Sequence, residues 1–223
     1  MDSAQSAGTL LAGEEGRQHA IARLRQAIVS GDMAPGQRLV EEELAGTFEV
    51  TRASLRQALI DLTADGLVER IPNRGARVRV ITQDEAVAIT ECRMALEGLC
   101  AAKAAQRVTG EQARTLTRLS DELRAAVSDG EPVRYSELNR ELHRTVIDIS
   151  GQEVARDLLA RLNGQLVRHQ FRLSLRPGRP QRSLPEHLEI IAAIVARDPA
   201  RAEEAARDHL RSVIRALTQE EPR

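Results

Sequence analysis

Apolar and small residues in the segment 51–66 recur with the period of an amphipathic helix. They fall close to the i, i+3, i+4, i+7 pattern that gives a helix one buried face, at Ala53, Leu55, Ala58, Leu59 and Leu62. Thr51 is suited to cap the start of this helix and Gly66 to end it. Arg52 and Arg56, one turn apart, project from the same side near the N-terminus, where backbone N–H groups also point outward. The segment can therefore offer cations to a polyanion such as DNA; taken alone, it fits a solvated surface helix equally well.

The hydrophobic pattern before this segment predicts two more helices. The first spans 17–30, with a buried stripe at Ile21, Leu24, Ile28 and Val29. The next residues, 31–39, contain several helix breakers and are predicted to form a turn-rich connector. A short helix follows at about 41–48, and a tight turn leads into the helix over 51–65. Two short helices joined by a tight turn, the second with exposed arginines, are typical of a helix-turn-helix.

A β-hairpin is predicted directly after this helix. Val68 and Ile71 alternate with polar residues, a turn follows at 72–75, and apolar residues then alternate again up to Val80. The tip of the hairpin holds Arg74 and Gly75. A basic hairpin that follows a DNA-reading helix can act as a wing that reaches an adjacent groove.

Residues 82–223 carry the period of helices, and no strand pattern appears after Val80. Start signals, among them a capping pair at Ser183 and Glu186, divide the segment into predicted helices at about 83–107, 111–127, 132–149, 152–174, 184–197 and 199–219. Short loops join them, which indicates an antiparallel six-helix bundle. The expected fold is mostly α: a winged helix-turn-helix of three helices plus a β-hairpin wing over 17–81, followed by the bundle over 82–223.

Composition narrows the classes of function. The net charge of the 223 residues is −1, so any basic surface must be local. Aromatic residues make up 1% of the chain, which argues against nucleic-acid binding by base stacking. Arginine supplies almost all positive charge, and its planar fork suits phosphate and guanine. Double-stranded DNA is therefore the nucleic acid that the composition favours.

Composition also bears on the compartment. No apolar run is long enough to span a membrane, so no membrane association is expected. Residues 1–16 lack the pattern of a signal peptide and are expected to form a disordered lead-in. Cys92 and Cys100 are expected to be reduced thiols of a cytoplasmic protein.

Histidines on inward-facing stripes are the candidate chemistry of the second half. His187 and His209 lie eleven residues before and after Asp198, so antiparallel packing of the last two helices would place them at the same height. Asn139 and His143, one turn apart on the third helix of the bundle, could complete a pocket. Imidazole nitrogen together with oxygen suits Zn, Ni, Fe or Mn. Histidines that only fill the core are the alternative.

Ordered motifs in the first half resemble the winged-helix domain of the GntR family of bacterial transcription regulators. They are I-x-x-L-R-x-x-I-x-x-G-x-x-x-P-G-x-R-L, E-x-x-L-A, V-T-R-A-S-L-R-x-A-L and P-x-R-G, within residues 17–81. The resemblance implies that a double-stranded DNA operator contacts Thr51, Arg52, Ser54 and Arg56 in the major groove and Arg74 and Gly75 at the wing tip. The chain departs from the family at 41–43, where three glutamates stand and some members carry a basic residue. These glutamates are expected to cap the short helix.

The second half resembles the all-helical ligand-binding domain called FCD. The motifs are E-x-R-M-A-L-E-G-L-C at 91–100, Y-x-x-L-N-x-x-L-H at 135–143, E-H-x-x-I-x-x-A-I at 186–194 and A-x-x-x-x-x-x-H-L at 202–210. The resemblance implies a divalent metal ion bound by Asn139, His143, His187 and His209. Many members have Asp where this chain has the neutral Asn, so weaker binding is expected. The resemblance also implies that Arg93 binds the carboxylate of a small organic-acid effector; a salt bridge with Glu97 is the alternative.

The resulting hypothesis is a ligand-responsive, sequence-specific DNA-binding transcription regulator, a repressor, which acts as a homodimer on a pseudo-palindromic site. A metal-dependent enzyme on a helical bundle is the first alternative. Helical phase argues against it, because Glu141 and Glu186 are predicted to point away from the histidines and no other general base is well placed. The second alternative is a bundle with purely structural histidines, whose DNA binding a partner protein controls.

Overall fold

The chain divides into two compact units, and the division falls between Ile81 and Thr82 in the sequence. The structure, a computed structural model, describes residues 10–72, 74–174 and 176–218, without the side chains at 167, 168, 170–172 and 174. The expected lead-in falls partly at 1–9, outside the described residues. The N-terminal unit and the C-terminal unit are described separately below.

The N-terminal unit contains three helices and a small antiparallel sheet in its described residues. The helices are α1 (Gly13–Ser30), α2 (Glu41–Thr47) and α3 (Arg52–Ala64), and the strands are β1 (Arg38–Leu39), β2 (Val68–Ile71) and β3 (Gly75–Val78). The strand order is β1-β3-β2, with Val68 opposite Val78 and Leu39 opposite Ala76. Leu24, Leu55 and Leu62 lie fully buried in the core between the helices and the sheet. This confirms the predicted winged helix-turn-helix.

The connector before α2 contains a strand that the sequence pattern did not predict. Backbone bonds from Gly36 N–H to Val78 C=O (2.8 Å) and from Val78 N–H to Gln37 C=O (2.9 Å) attach it to β3. The strand is two residues long, which is too short to show an alternation of apolar and polar residues. Leu39 nevertheless buries its side chain, so the connector forms part of the core.

Residues 10–16 are structured, which corrects the expected disordered lead-in at its described end. Leu11 pairs with Val50 in an isolated parallel bridge, and its N–H and C=O each form a 2.9 Å backbone bond in the turn between α2 and α3. α1 then begins at Gly13, four residues before the predicted start. Main-chain pairing of this kind leaves no mark in hydrophobic periodicity.

We expect Gly16→Ala to destabilise the N-terminal unit by about 1–3 kcal/mol, because the added methyl group has no room. A Cβ at this position would lie 2.5 Å from the carbonyl oxygen of Leu11 and 2.9 Å from Oγ of Ser54. Gly46→Ala is the matched control: it lies in helix α2, and nothing stands within 4 Å of its Cβ position. The Gly46→Ala variant should have a free energy of unfolding higher by up to about 1 kcal/mol, because alanine has the better helix propensity. Denaturant titration measures both, and equal free energies of unfolding would contradict the close approach.

The C-terminal unit contains six helices among its described residues, which confirms the predicted bundle. They are α4 (Gln83–Arg107), α5 (Gly110–Ser128), α6 (Pro132–Ser150), α7 (Glu153–Ser174), α8 (Arg179–Val195) and α9 (Pro199–Thr218). Thr82 caps α4, and Thr109 and Gln112 form a reciprocal capping box on α5. The core is built from leucine, isoleucine and many alanines, which allow α4 and α9 to approach closely.

Helix α8 starts at Arg179, five residues before the predicted start, so the predicted cap at Ser183 is wrong. Gly178, in the left-handed region at φ 76°, precedes the helix, and Pro180 lies in its first turn, where a missing N–H costs nothing. Ser183 is buried inside the helix instead. None of the described helices combines the length and apolar character that a bilayer crossing requires.

Candidate metal centre and nucleic-acid interface

Three histidines from three helices converge inside the C-terminal unit. They are His143 on α6, His187 on α8 and His209 on α9, and the ligand nitrogens that they offer all lie within 4.8 Å of one another. The Nε2 atoms of His187 and His209 are 3.4 Å apart, as their equal spacing from Asp198 predicts. His187 and His209 are buried, and His143 is partly exposed. The three rings therefore surround one small volume.

Each ring is held by a partner on its far side. The Nδ1 atom of each histidine lies 2.9 Å from an oxygen of a different side chain, in the pairs His143–Glu97, His187–Tyr135 and His209–Glu186. The carboxylates, and the phenol oxygen of Tyr135, can each accept a hydrogen bond from Nδ1–H. The three Nε2 lone pairs are then left for the centre. Metal-binding histidines show this arrangement, because the outer partner fixes the tautomer and the ring orientation.

The side chain of Glu186 reaches the site, so the prediction that it points away is wrong. Its neighbour His187 faces the core, and helical phase turns the Cα–Cβ bond of Glu186 aside by about 100°. The glutamate side chain is long enough to bend back across the gap to His209 on α9. Helical phase gives the direction of Cβ but not the reach of a flexible chain. Tyr135, by contrast, shares the stripe of His143 on α6, so the sequence carried a signal for it.

Two buried arginines lie next to the carboxylates that contact the histidines. Arg93 donates to Glu97 from Nε (2.9 Å) and approaches it with Nη2 (2.7 Å), which is the salt bridge that the sequence left open as an alternative. Arg179 donates to Oγ of Ser212 at 3.0 Å, and its guanidinium lies 3.8 Å from Glu186. Each carboxylate that holds a histidine thus has a guanidinium beside it, Arg93 at Glu97 and Arg179 near Glu186.

Burial sets the charge states of the site. It lowers the pKa of His187 and His209 well below the ordinary value, and the positive charge of nearby histidine and arginine adds to the effect. Burial alone would raise the pKa of Glu97, but Arg93 and His143 together lower it. The two buried imidazoles are therefore neutral at neutral pH, which is the form that binds a metal ion.

Asn139 supplies the observation that tests whether these residues fit a metal. It precedes His143 by one turn of α6, and its side-chain oxygen is buried with no hydrogen-bond partner among the described residues. A buried oxygen left unpaired costs free energy unless a water or an ion binds it. Three imidazole nitrogens with one such oxygen form a donor set that suits a divalent transition metal. The residues present therefore fit the expected ion.

A small cavity adjoins the cluster. Glu97 and His143 provide its polar lining, and the rest is apolar: Cys100, Ala101, Leu142, Val146, Ile147, Ile190 and Ala206. Its volume is about 10 Å³, roughly the space of one water molecule. An organic acid therefore requires side chains to move before it can enter.

The N-terminal unit exposes the two arginines of α3. The side chains of Arg52 and Arg56 are 64% and 59% exposed, and each forms an ion pair with a glutamate of α2. Thr51 caps the helix through a 3.2 Å bond from the N–H of Ser54. Ser54 itself is only 4% exposed, and its hydroxyl donates to the carbonyl of Gly13 at 3.2 Å. The expected contact of the Ser54 side chain with DNA is therefore corrected, since this side chain joins α3 to the start of α1.

The predicted tip residues lie at the end of the hairpin. Arg74 and Gly75 are both exposed, and residue 73 beside them lies outside the described part. Gly75 has a φ of 83°, a left-handed conformation that glycine adopts without strain. The backbone N–H of Arg74 closes the turn onto the carbonyl of Ile71 at 3.0 Å.

Comparisons with known proteins agree with both halves. The family described as bacterial regulatory proteins, gntR family, matches residues 17–78, and the FCD domain matches residues 88–212. The HTH-type transcriptional repressor RspR of Escherichia coli strain K12 is 29% identical over 196 residues, which cover 88% of this chain and 86% of that protein. The HTH-type transcriptional regulator BphR of Paraburkholderia xenovorans strain LB400 is 30% identical over 206 residues, with 88% and 83% covered. Among solved structures, E. coli McbR/YncC has a similar fold, with a TM-score of 0.75 at 19% identity over 91% of this chain and 96% of that one.

Proposed function

The chain belongs to the GntR family of bacterial transcription regulators and carries an FCD domain, and from this we propose that it is a repressor released from its operator by a small organic acid. The acid would bind beside a metal ion in the helical bundle. The convergence of one ring nitrogen from each of three histidines in the C-terminal unit is the observation that carries this proposal. The relative RspR is named a transcriptional repressor, which favours this sign of regulation.

The metal would be a Zn, Ni, Fe or Mn ion held by Asn139, His143, His187 and His209. A bound divalent ion would supply a Lewis-acidic position for a carboxylate oxygen of the effector. The neutral side chain of Asn139 leaves the site with no charged ligand, so Glu97 and Glu186 supply the nearest negative charges through their histidines.

An effector must displace part of the present packing. The cavity beside His143 holds about one water molecule, and Arg93 is engaged by Glu97. We propose that the effector carboxylate takes over Arg93 and opens the cavity. Entry of the acid then changes the contacts between α4 and α6, which gives a physical route from effector to altered packing. An effector shifts the equilibrium only by its difference in affinity between the two arrangements.

DNA binding by Thr51, Arg52, Arg56, Arg74 and Gly75 is the other part of the proposal. Two copies related by two-fold symmetry would place two α3 helices in successive major grooves of a pseudo-palindrome. A homodimer is therefore the functional species that we propose. Glu186 is bonded to His209, so it serves to orient a ligand rather than to act as a general base. A metal-dependent enzyme is accordingly not favoured.

Operator release tests the proposal directly. An operator duplex selected from a random library with the full-length protein is labelled, and its binding is followed by fluorescence anisotropy with a panel of small carboxylic acids. At least one acid should weaken binding by about 5- to 150-fold when metal is present, the usual range of allosteric coupling. His209→Ala should keep operator affinity and lose the response. If every acid leaves the metal-loaded protein unchanged, the effector assignment is wrong.

We expect Glu186→Gln to weaken metal binding by about 10- to 100-fold, because an amide is a poorer acceptor for Nδ1–H of His209. Competition with a chromophoric chelator measures the affinity. Glu189→Gln is the matched control: it makes the same change on α8, at an exposed residue paired with Arg201. Equal losses in the two variants would assign the effect to net charge rather than to the orientation of His209.

A further inference from the structure

The arginines of α3 are engaged by the acidic first turn of α2. Arg56 donates to Oε2 of Glu41 from Nε at 3.2 Å and from Nη2 at 3.0 Å. Arg52 forms an ion pair with Glu42 through Nη2. Both pairs join α2 to α3 at the surface that the proposed function assigns to DNA. The expected side-chain cap is not present, because Val40 is the N-cap of α2 and no side chain bonds to it there. Glu41 and Glu42 instead hold the cations of the neighbouring helix.

The geometry of the Arg56 pair leaves one edge of the guanidinium open. Glu41 lies against the Nε and Nη2 side, whereas Nη1 is not part of the pair. A guanidinium presents five donors in a fixed fork, so two different edges can each bind an acceptor. The edge formed by the two Nη atoms is the one that can pair with O6 and N7 of guanine.

These pairs act differently on the two kinds of DNA contact. A phosphate that takes the Nε edge must displace the carboxylate, which then lies unpaired beside the negative charge of the backbone. A guanine that takes the other edge can leave Glu41 in place. Exposed ion pairs are weak, so the glutamates bias binding rather than prevent it. The penalty falls chiefly on complexes held by phosphate contacts alone.

We propose that Glu41 and Glu42 are specificity-determining residues: both hold an arginine, Arg56 and Arg52, back from sequence-independent phosphate contacts, and Glu41 also leaves the base-reading edge of Arg56 open. The inference rests on the proposed DNA-binding function. It gives the acidic run a role in setting the ratio of operator affinity to non-specific affinity. That ratio decides whether a regulator finds its site among the competing sites of a genome.

The test compares two duplexes of equal length with the full-length protein. One is the operator from in vitro selection, and the other is a mixed-sequence duplex of about 30 base pairs, long enough for a dimer on two half-sites. Anisotropy titrations give both dissociation constants for wild type, Glu41→Gln, Glu42→Gln and the double variant. Glu43→Gln is the matched control, because Glu43 is exposed in the same turn and forms no ion pair among the described residues.

Glu41→Gln and Glu42→Gln should each tighten binding to the mixed-sequence duplex by about threefold, the scale of two weak exposed ion pairs, one in each subunit of the dimer. Operator binding should change less, so the specificity ratio falls by about threefold in each single variant and by about tenfold in the double variant. Glu43→Gln should shift both duplexes by the same factor, since it alters charge without breaking a pair. If the pairing variants also shift both duplexes equally, the inference is overturned while DNA binding stands. If selection enriches no sequence at all, the proposed function fails and the inference fails with it.

Discussion

His187→Ala and His209→Ala are each expected to abolish stoichiometric binding of a divalent metal by the purified protein. Each removes one of three nitrogens that lie within 4.8 Å of one another. The loss should exceed the roughly 10- to 100-fold that removal of an orienting partner costs, because a direct ligand disappears. Elemental analysis of protein purified without added metal gives the content, and titration with Zn, Ni and Mn gives the affinity and the preferred ion.

Controls separate a lost ligand from a damaged fold. His19→Ala makes the same change in the N-terminal unit and should leave the metal content as it is in wild type. His187→Ala removes the partner of the buried Tyr135 and His209→Ala that of the partly exposed Glu186, so circular dichroism must show an intact bundle. Asn139→Asp provides a test in the opposite direction, since a charged ligand should tighten binding. Unchanged metal content in both alanine variants, or unchanged affinity in Asn139→Asp, would remove these residues from the metal site.

The pairing of His187 with His209 could be predicted because it depends only on helix geometry and one short loop. Both residues sit eleven positions from Asp198, and the helices on either side pack antiparallel. Apolar stripes at helical spacing likewise predicted the six helices of the bundle, apart from the early start of α8. Predictions of this type succeed because the distance between the residues along the chain is converted directly into height along a helix.

Contacts that depend on side-chain reach or on main-chain pairing could not be predicted in this way. Glu186 reaches His209 across 23 residues of sequence, by bending a flexible chain away from the direction of its Cβ. Leu11 pairs its backbone with the turn at Glu49–Thr51, and backbone groups are the same in every residue. Ser54 is buried and donates to the carbonyl of Gly13, so the side chain at a position that the family resemblance assigns to DNA is engaged inside the N-terminal unit. Periodicity carries no information about any of these contacts.

The burial of Ser54 leads to a contrast within one helix. Arg52→Ala and Arg56→Ala should each weaken operator binding by about 5- to 150-fold for each half-site, the cost of losing one bidentate base contact there, with little effect on stability. Ser54→Ala should instead affect stability and not operator binding. It removes a bond to Gly13 and a partner of Thr51, so it should lower the free energy of unfolding by about 1–2 kcal/mol and leave operator affinity unchanged.

Salt dependence then distinguishes the kinds of contact that the two arginines make. An arginine that binds a phosphate releases a counterion, so its removal should reduce the slope of log affinity against log salt by about one for each subunit of the dimer. Removal of an arginine that binds guanine through its open edge should weaken operator binding but change that slope less. We expect Arg56→Ala to behave in the second way, because Glu41 occupies its Nε edge. Titrations of the selected operator and of the mixed-sequence duplex at several salt concentrations distinguish these two kinds of contact. If Arg56→Ala weakens both duplexes by the same factor, Arg56 binds only the DNA backbone, and α3 does not read sequence through it.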